Sequence, residues 1–145
     1  MEVHNRLEPT EEQIQGFFDS NAKGPICMVN LLKFRDWAEY ADGRKTELTG
    51  FEAYTLYSNG VVHCLKEVGG YLGFNGPVQR LMLGEVEDMW DLVALAVYPS
   101  RQAMLEMIQL PAYQEVHVHR EAGLAGQLNI ETVDFGGQWL KGTDG

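Results

Sequence analysis

Two segments of the sequence decide the fold: ICMVNLLKF (Ile26–Phe34) and LVALAVY (Leu92–Tyr98). Both are apolar runs of strand length, and neither alternates apolar with polar residues as a half-exposed strand does. Strands that are apolar on both sides belong to a sheet whose two faces are both covered. The two segments therefore predict strands that are buried on both faces.

The segments around these strands predict the remaining elements. Thr49, with Glu52 three positions later, forms a capping box that starts a helix, and the Gly69-Gly70 pair ends it. The other predicted elements are a strand within 71–86 that is interrupted at Gly76-Pro77, helical segments that begin at Ser100 and at Pro111, the second ending near Gly123, and a last strand at 127–135.

The resulting order is βαββαβ, which is that of the ferredoxin-like α+β fold with an antiparallel sheet. Its two main helices can cover only one face of the sheet. A second copy of the sheet is the simplest cover for the other face. We therefore predict a homodimer through the sheet face, which makes a dimeric α+β barrel.

An additional helix is predicted before the first strand. Thr10 and Gln13 form a capping box, and NAKGP (21–25) ends the helix. We expect one ferredoxin-like domain over residues 25–135, an N-terminal helical extension at 1–24 and a frayed tail at 136–145.

Composition excludes several classes of function. The chain of 145 residues carries a net charge of −10, which argues against nucleic acid and against an anionic membrane surface. No apolar run is long enough to cross a membrane, and MEVHNRLEPTEE lacks the pattern of a secretion signal. The two cysteines, Cys27 and Cys64, form neither CxxC nor a disulfide framework. We expect a cytoplasmic protein with reduced, buried cysteines.

The segment PAYQEVHVHREAG (111–123) holds the main candidate site residues. Tyr113, His117 and Arg120 follow helical spacing and share one face, whereas His119 points elsewhere. The spacing of two between the histidines excludes the two-histidine metal motif, which needs i and i+4. Imidazole titrates near neutral pH and suits a general base, so His117 and His119 are both candidates.

Asn30 lies in the middle of an apolar strand, where an unpaired amide costs about 1–3 kcal/mol. It either binds a ligand in a pocket or is satisfied by neighbouring backbone. Tyr57 and Tyr98 are candidate ligand contacts, with core packing as the alternative for each. Trp90 and Asp91 are further candidates; alternatively, Trp90 plugs the end of the barrel and Asp91 binds a turn or Arg101.

The segments MVNLLKF, WDLVALAVYPSRQAMLEM and PAYQEVHVHREAGL, with the Gly-Gly pair between them, resemble the family called domain of unknown function 1330 across roughly 25–134. That family belongs to the dimeric α+β barrel superfamily, so the resemblance implies a sheet-to-sheet dimer. It implies no particular reaction. The superfamily includes haem-degrading monooxygenases, cofactor-free monooxygenases and lactone isomerases.

In the haem-degrading members, a strand Asn, a helix Trp and a helix His surround the porphyrin. Asn30 and His117 resemble the first and the last, whereas Met107 stands at the place of the Trp. That difference and the net charge of −10 argue against haem oxygenation.

Together these observations predict an apolar pocket between the sheet and the helices that binds a small apolar or aromatic molecule. One hypothesis is a cofactor-independent monooxygenase or isomerase, with a histidine as base and Asn30 stabilising a developing oxygen charge. Another is a non-catalytic ligand-binding or dimerisation module. A haem-binding protein is the third and weakest alternative.

Overall fold

The computed structural model describes residues 3–18 and 23–134. The predicted order βαββαβ, with an extra N-terminal helix, is confirmed, and the predicted frayed tail at 136–145 lies outside the described residues. In the described residues, no helix is both long and apolar enough to cross a membrane. The elements are α1 (Glu11–Phe18), β1 (Ile26–Phe34), α2 (Gly50–Glu67), β2 (Tyr71–Pro77), β3 (Leu92–Tyr98), α3 (Arg101–Gln109), α4 (Pro111–Gly123) and β4 (Leu124–Thr132).

The sheet has the strand order β2-β3-β1-β4, and each neighbouring pair is antiparallel. This is the ferredoxin-like topology. β1 and β3, the two segments without alternation, are its central strands. In the register, Asn30 lies opposite Ala94 of β3 and Asn129 of β4.

Alternate residues of β1 face opposite sides of the sheet. Ile26, Met28 and Leu32 point toward the helices and are buried in the core. Val29 and Leu31 point the other way, onto a surface that we call the outer face. The outer face is apolar, because register adds Leu95, Ile130, Val93, Leu128 and Phe74 to it. On the two edge strands of this face Phe74 and Ile130 are 55% and 45% exposed, whereas Val97, on the same side of β3, is buried.

The end of β2 corrects one prediction. The strand stops at Pro77, and the predicted continuation to residue 86 is wrong, because residues 78–91 form a loop. Pro77 still pairs with Leu92 and the Val78 N–H still donates to the Asp91 carbonyl at 2.9 Å, but residues 79–86 pair with no strand. The cysteine prediction is also corrected in part: Cys64 is buried, but Cys27 is half-buried on the outer face.

The helices α2 and α4 pack closely because glycines lie between them. A Cβ at Gly60 would overlap Val116 of α4, and a Cβ at Gly123 would overlap the carbonyl of Gly50. Gly60 lowers helix propensity in α2, and this contact explains its position. The close approach fixes which side chains of the two helices meet above the sheet.

The N-terminal segment is held along the edge of β4. The Arg6 N–H donates to the Gln127 carbonyl at 3.1 Å, and the Trp90 indole N–H donates to the Asn5 Oδ1 at 2.8 Å. The predicted capping box of α1 is present, since the Thr10 and Gln13 backbone N–H groups each donate to the other's side chain. The extension therefore packs against the domain at the open end of the sheet.

Candidate functional site

Tyrosines from three elements meet between the helices and the sheet. Tyr54 and Tyr57 lie one turn apart on α2, Tyr98 ends β3, and Tyr113 lies in the first turn of α4. We call these four residues the tyrosine cluster. Tyr57, Tyr98 and Tyr113 are buried, and Tyr54 is half-buried. The cluster combines three predicted site residues with Tyr54, for which the sequence favoured packing at the core edge.

The rings of Tyr54, Tyr57 and Tyr113 form a continuous row. The ring centroids of Tyr54 and Tyr57 are 5.2 Å apart, and those of Tyr57 and Tyr113 are 6.0 Å apart in an edge arrangement. The Tyr57 and Tyr113 hydroxyls hydrogen-bond to each other at 3.2 Å. Phe34 extends the row beyond Tyr54, and His117 extends it beyond Tyr113 with ring centroids at 5.6 Å.

The Tyr54 and Tyr98 hydroxyls differ from the other two. Neither has a hydrogen-bond partner in the described part of the chain. In the same residues, the single fully buried side-chain N or O without a partner is the Arg35 Nε. The two hydroxyl oxygens therefore retain accessible surface, although only 5% of Tyr98 is exposed.

Burial sets the charge state of the cluster. It raises the pKa of Tyr54 to about 12 and raises the pKa of Tyr57 and Tyr98 above the usual value of 10.0. Transfer from water disfavours the charged phenolate. The hydroxyls are therefore neutral at physiological pH, so they act as hydrogen-bond donors to an oxygen and not as bases.

A chain of side-chain hydrogen bonds lies beside the cluster. The Arg120 guanidinium donates to the Gln127 Oε1 at 2.7 Å, and the Gln127 Nε2 donates to the Asn30 Oδ1 at 2.7 Å. We call these three residues the amide relay. The Asn30 Nδ2 donates to the Met28 and Ala94 carbonyls, each at 3.2 Å. The amide of Asn30 is thus bonded within the protein on both sides.

Gln127 was not found from the sequence. It pairs with Leu32 in the register, so it lies diagonally next to Asn30 on the helix-facing side. Nothing in the local pattern of QLNIETVDF distinguishes it from a surface glutamine. The one available signal was that Gln127 is polar at a strand position whose side chain alternation places on the helix-facing side of the sheet.

His117 lies at the outer end of the tyrosine cluster. Its Nδ1 is 3.5 Å from the Glu121 Oε1, and 28% of its side chain is exposed. A carboxylate at Nδ1 favours the tautomer with its hydrogen on that nitrogen, which leaves the Nε2 lone pair free to accept a proton. The position and the tautomer both suit a base that works at the entrance of the cluster.

His119 points to the opposite side of α4. Its Nδ1 is 2.7 Å from the hydroxyl of Tyr40, which is buried under the loop between β1 and α2. The Arg44 guanidinium lies 4.5 Å from the Tyr40 ring centroid. Burial and, secondarily, the charge of Arg44 lower the pKa of His119. This set, which we call the Tyr40 contact, includes no member of the tyrosine cluster.

Trp90 and Asp91 contact other parts of the fold. Trp90 binds Asn5 of the N-terminal segment, and the Asp91 Oδ2 accepts from the Phe34 N–H at 2.8 Å. The considered pairing of Asp91 with Arg101 is wrong, because Arg101 binds the Glu131 carboxylate through two nitrogens. Asp91 instead binds the end of β1, through the Phe34 N–H and the Lys33 ammonium.

The haem-type arrangement does not fit these residues. Met107 is 2% exposed and packs in the core with Met28 and Tyr113, and Asn30 is fully engaged by the relay and backbone. His117, with 28% of its side chain exposed, lies at the edge of the fold. Across the described ranges, no three His, Cys, Asp or Glu side chains converge as metal ligands.

An open groove of about 410 Å³ lies beside the Tyr40 contact. Tyr40 of that contact lines the groove, and so does Glu121, the partner of His117. Leu7 also lines it, and the Leu7 carbonyl accepts from the Arg120 guanidinium at 2.9 Å. Its other lining residues are Glu8, Arg35, Glu39 and Ala41. Four of its seven lining residues are charged, so the groove differs from the predicted apolar pocket.

The chain is similar to solved structures of one bacterial protein. RPA0582, a protein of unknown function from Rhodopseudomonas palustris, is 32% identical over 89% of this chain and 96% of that chain, with a TM-score of 0.79. Its methylated form is 34% identical over 91% of this chain and 96% of that chain, with a TM-score of 0.81. SnoaB, a cofactor-independent oxygenase from Streptomyces nogalater, is 10% identical over 77% and 93% of the two chains, with a TM-score of 0.49, and its activity is not transferred on that likeness.

No model of a known protein family matches the chain, so the resemblance to domain of unknown function 1330 is not confirmed. No curated protein matches it either. Identity above 30% across nine-tenths of the chain nevertheless shows a shared family. The chain belongs to the family of RPA0582, the Rhodopseudomonas palustris protein of unknown function.

Proposed function

We propose that this protein binds a small aromatic or apolar molecule at the tyrosine cluster. One observation carries the proposal: the Tyr54 and Tyr98 hydroxyls have no partner in the described residues and yet retain accessible surface. Each hydroxyl is a free hydrogen-bond donor within the described chain, and an oxygen atom of a ligand could accept from it. The surrounding rings supply apolar contact for the body of such a ligand.

The chemistry that fits this site is proton abstraction next to a carbonyl or phenol oxygen. His117 would accept the proton at Nε2, with Glu121 at its Nδ1 supporting the imidazolium that forms. The neutral Tyr54 and Tyr98 hydroxyls would donate to the oxygen on which charge develops. An isomerase returns the proton to another carbon, and a cofactor-independent oxygenase lets the carbanion react with O₂.

A non-catalytic binding module is the second candidate, and Asn30 favours it. The enzyme hypothesis gave Asn30 the task of stabilising a developing charge. In the structure both N–H···O contacts of its amide go to backbone carbonyls, so the amide has no donor turned toward a ligand. Stabilisation of the charge that develops on a ligand oxygen would therefore depend on the Tyr54 and Tyr98 hydroxyls alone.

The experiment uses protein labelled with ¹³C at the tyrosine rings. Small aromatic ketones and phenols are titrated while the ring resonances are recorded, and binding at the cluster shifts Tyr54 and Tyr98 but not Tyr40. Turnover of the bound compounds is then compared for His117→Ala and for His63→Ala, an exposed histidine on α2. Loss of turnover in the first variant alone supports the enzyme. Equal turnover in both variants rejects His117 as the base, and no turnover in any form favours the module.

We also propose that the outer face is covered by a second copy of the chain. Its support is an apolar surface that runs across neighbouring strands and includes Val29, Leu95 and Ile130. Val29→Lys should convert a dimer to monomers in sedimentation, because a buried lysine in a sheet interface loses its hydration. Leu56→Lys, on the exposed side of α2, is the control and should stay dimeric. A wild-type monomer would contradict this assembly.

A further inference from the structure

Arg120 is a half-buried cation without a carboxylate partner in the described residues. Its hydrogen bonds go to two neutral oxygens, the Leu7 carbonyl and the Gln127 Oε1. Other half-buried or exposed cations of the domain do have acidic partners: Lys33 with Asp88, Arg35 with Glu39, Arg44 with Asp42 and Arg101 with Glu131. Arg6 and Arg80 also lack a carboxylate partner in the described residues, but both are exposed, so Arg120 is the half-buried arginine of the described chain whose charge no carboxylate offsets.

The fold compensates this charge only in part. Arg120 lies in the last turn of α4, where the helix dipole presents about half a negative charge. Neutral oxygens satisfy hydrogens of the guanidinium but do not neutralise it. Removing a charge from water without a counter-charge is costly, so the site favours the arrival of an anion.

The guanidinium has donors left for such an anion. The hydrogen bonds of Arg120 in the structure all come from one terminal nitrogen, Nη2. Its Nη1 and Nε groups donate to no atom of the described chain, and neither is sealed from solvent. A planar guanidinium with free N–H groups is the side chain best suited to a carboxylate.

The position of Arg120 ties it to the tyrosine cluster. Through Gln127 it reaches Asn30 on the helix-facing side of β1, and its charge acts on Tyr54 and Tyr57 by opposing the burial effect on their pKa. Leu7, whose carbonyl accepts from Arg120, packs against the same buried residues as Tyr54, so the unpaired cation lies near the Tyr54 end of the cluster. Tyr54 is the member of the cluster that both observations involve.

We propose that the ligand of the tyrosine cluster is an aromatic or apolar carboxylate whose carboxylate group binds Arg120. This rests on the proposed function, because it names the ligand class of the same site. The charge balance selects a single carboxylate over a phosphate, since one arginine in a chain of net charge −10 cannot offset a dianion.

The test compares two probes of equal size, 1-naphthoate and 1-naphthamide, by calorimetry at constant ionic strength and by tyrosine-ring NMR. The wild-type protein should bind the carboxylate at least about tenfold more tightly than the amide, as expected for a charge-assisted hydrogen bond. Arg120→Met should reduce that preference to about twofold or less, whereas Arg80→Met, an exposed control with the same charge change, should keep it. Arg120→Lys retains the charge and should keep part of the preference, which covers the case in which Arg120→Met does not fold.

The outcomes separate the two proposals. Equal binding of both probes, with shifts of Tyr54 and Tyr98, would overturn the carboxylate class and leave the binding site standing. If neither probe shifted these rings, the site itself would be rejected. A carboxylate preference that survives in a folded Arg120→Met would assign the anion to another cation and overturn the role of Arg120.

Discussion

The tyrosine cluster and the Tyr40 contact lie against α4, and they differ in how their polar atoms are satisfied. In the Tyr40 contact, the hydroxyl binds His119, and Arg44 lies over the ring while binding Asp42. In the cluster, one hydrogen bond joins Tyr57 to Tyr113, and the Tyr54 and Tyr98 hydroxyls have no partner in the described chain. Both sites are built on tyrosine, but the hydroxyl is paired in the Tyr40 contact, whereas two hydroxyls of the tyrosine cluster are unpaired within the described chain.

This difference separates a structural role from a binding role. Proteins pair nearly all of their buried polar groups, so a site in which every group is paired has no capacity for a ligand. In the Tyr40 contact the buried hydroxyl is paired, and this bond fastens the loop between β1 and α2 to α4. The cluster keeps donors free in an apolar setting, as expected for a ligand site.

The largest effect is expected from the spacing of α2 and α4, on which both sites depend. In Gly123→Val, the new Cβ would overlap the Gly50 carbonyl and lie 2.9 Å from the Tyr54 nitrogen, so backbone must move. We expect a loss of roughly 3 kcal/mol or more in the free energy of unfolding. Urea denaturation measures it, with Gly16→Ala as the control, since a Cβ there meets nothing within 4 Å. A loss below about 1 kcal/mol would show that the helices are not closely fitted.

Removal of single hydroxyls compares the two sites directly. Tyr40→Phe leaves the His119 Nδ1 without its partner and should destabilise the protein by about 1 kcal/mol. Tyr98→Phe removes a hydroxyl that has no partner and should change stability by less than about 0.5 kcal/mol or increase it. Thermal or urea unfolding of the two variants checks this order. A reversed order would mean that the cluster is the structural site.

A smaller effect is expected from pH at the Tyr40 contact. The pKa of His119 is lowered from 6.5 in the folded protein, mainly by burial and then by Arg44, so the unfolded chain binds more protons near that pH. Its contribution to stability is therefore complete above about pH 6.5 and declines as the pH falls through the folded pKa. The lowered pKa values of Asp42 and Glu52 place their titration at more acidic pH.

The measurement is the unfolding midpoint between pH 7.5 and 5.5 for wild type and His119→Asn, which keeps an acceptor for Tyr40 but does not titrate there. The variant should show the flatter dependence. His63→Asn, which replaces an exposed histidine of α2, is the matched control. Identical curves for wild type and His119→Asn would remove His119 from this account.

The architecture was predictable because its signals are local. The two-faced apolar strands, the Thr49–Glu52 capping box and the Gly69-Gly70 stop give the element order without any knowledge of contacts. The end of β2 was placed too far along the chain, because the sequence 78–86 contains strand-forming residues and only the loss of pairing after Pro77 stops the strand.

The candidate site was predictable only in part, because its links are long-range. Helical spacing brought Tyr113, His117 and Arg120 together on one face. By contrast, Tyr40 meets His119 across 79 positions and Gln127 meets Asn30 across 97, and no local pattern encodes either contact. The strand register and the path of the loop between β1 and α2 determine these two contacts, and both are set only when the sheet has formed.

The most direct test of the central claim is a crystal of this protein soaked with 4-iodobenzoate, with the iodine located by its anomalous scattering. We predict an iodine peak between the sheet and the helices, with the ring of the compound against Tyr54 and Tyr98 and its carboxylate at Arg120. Iodine peaks confined to the surface, or found only at the Tyr40 contact, would contradict the assignment of the tyrosine cluster as the binding site.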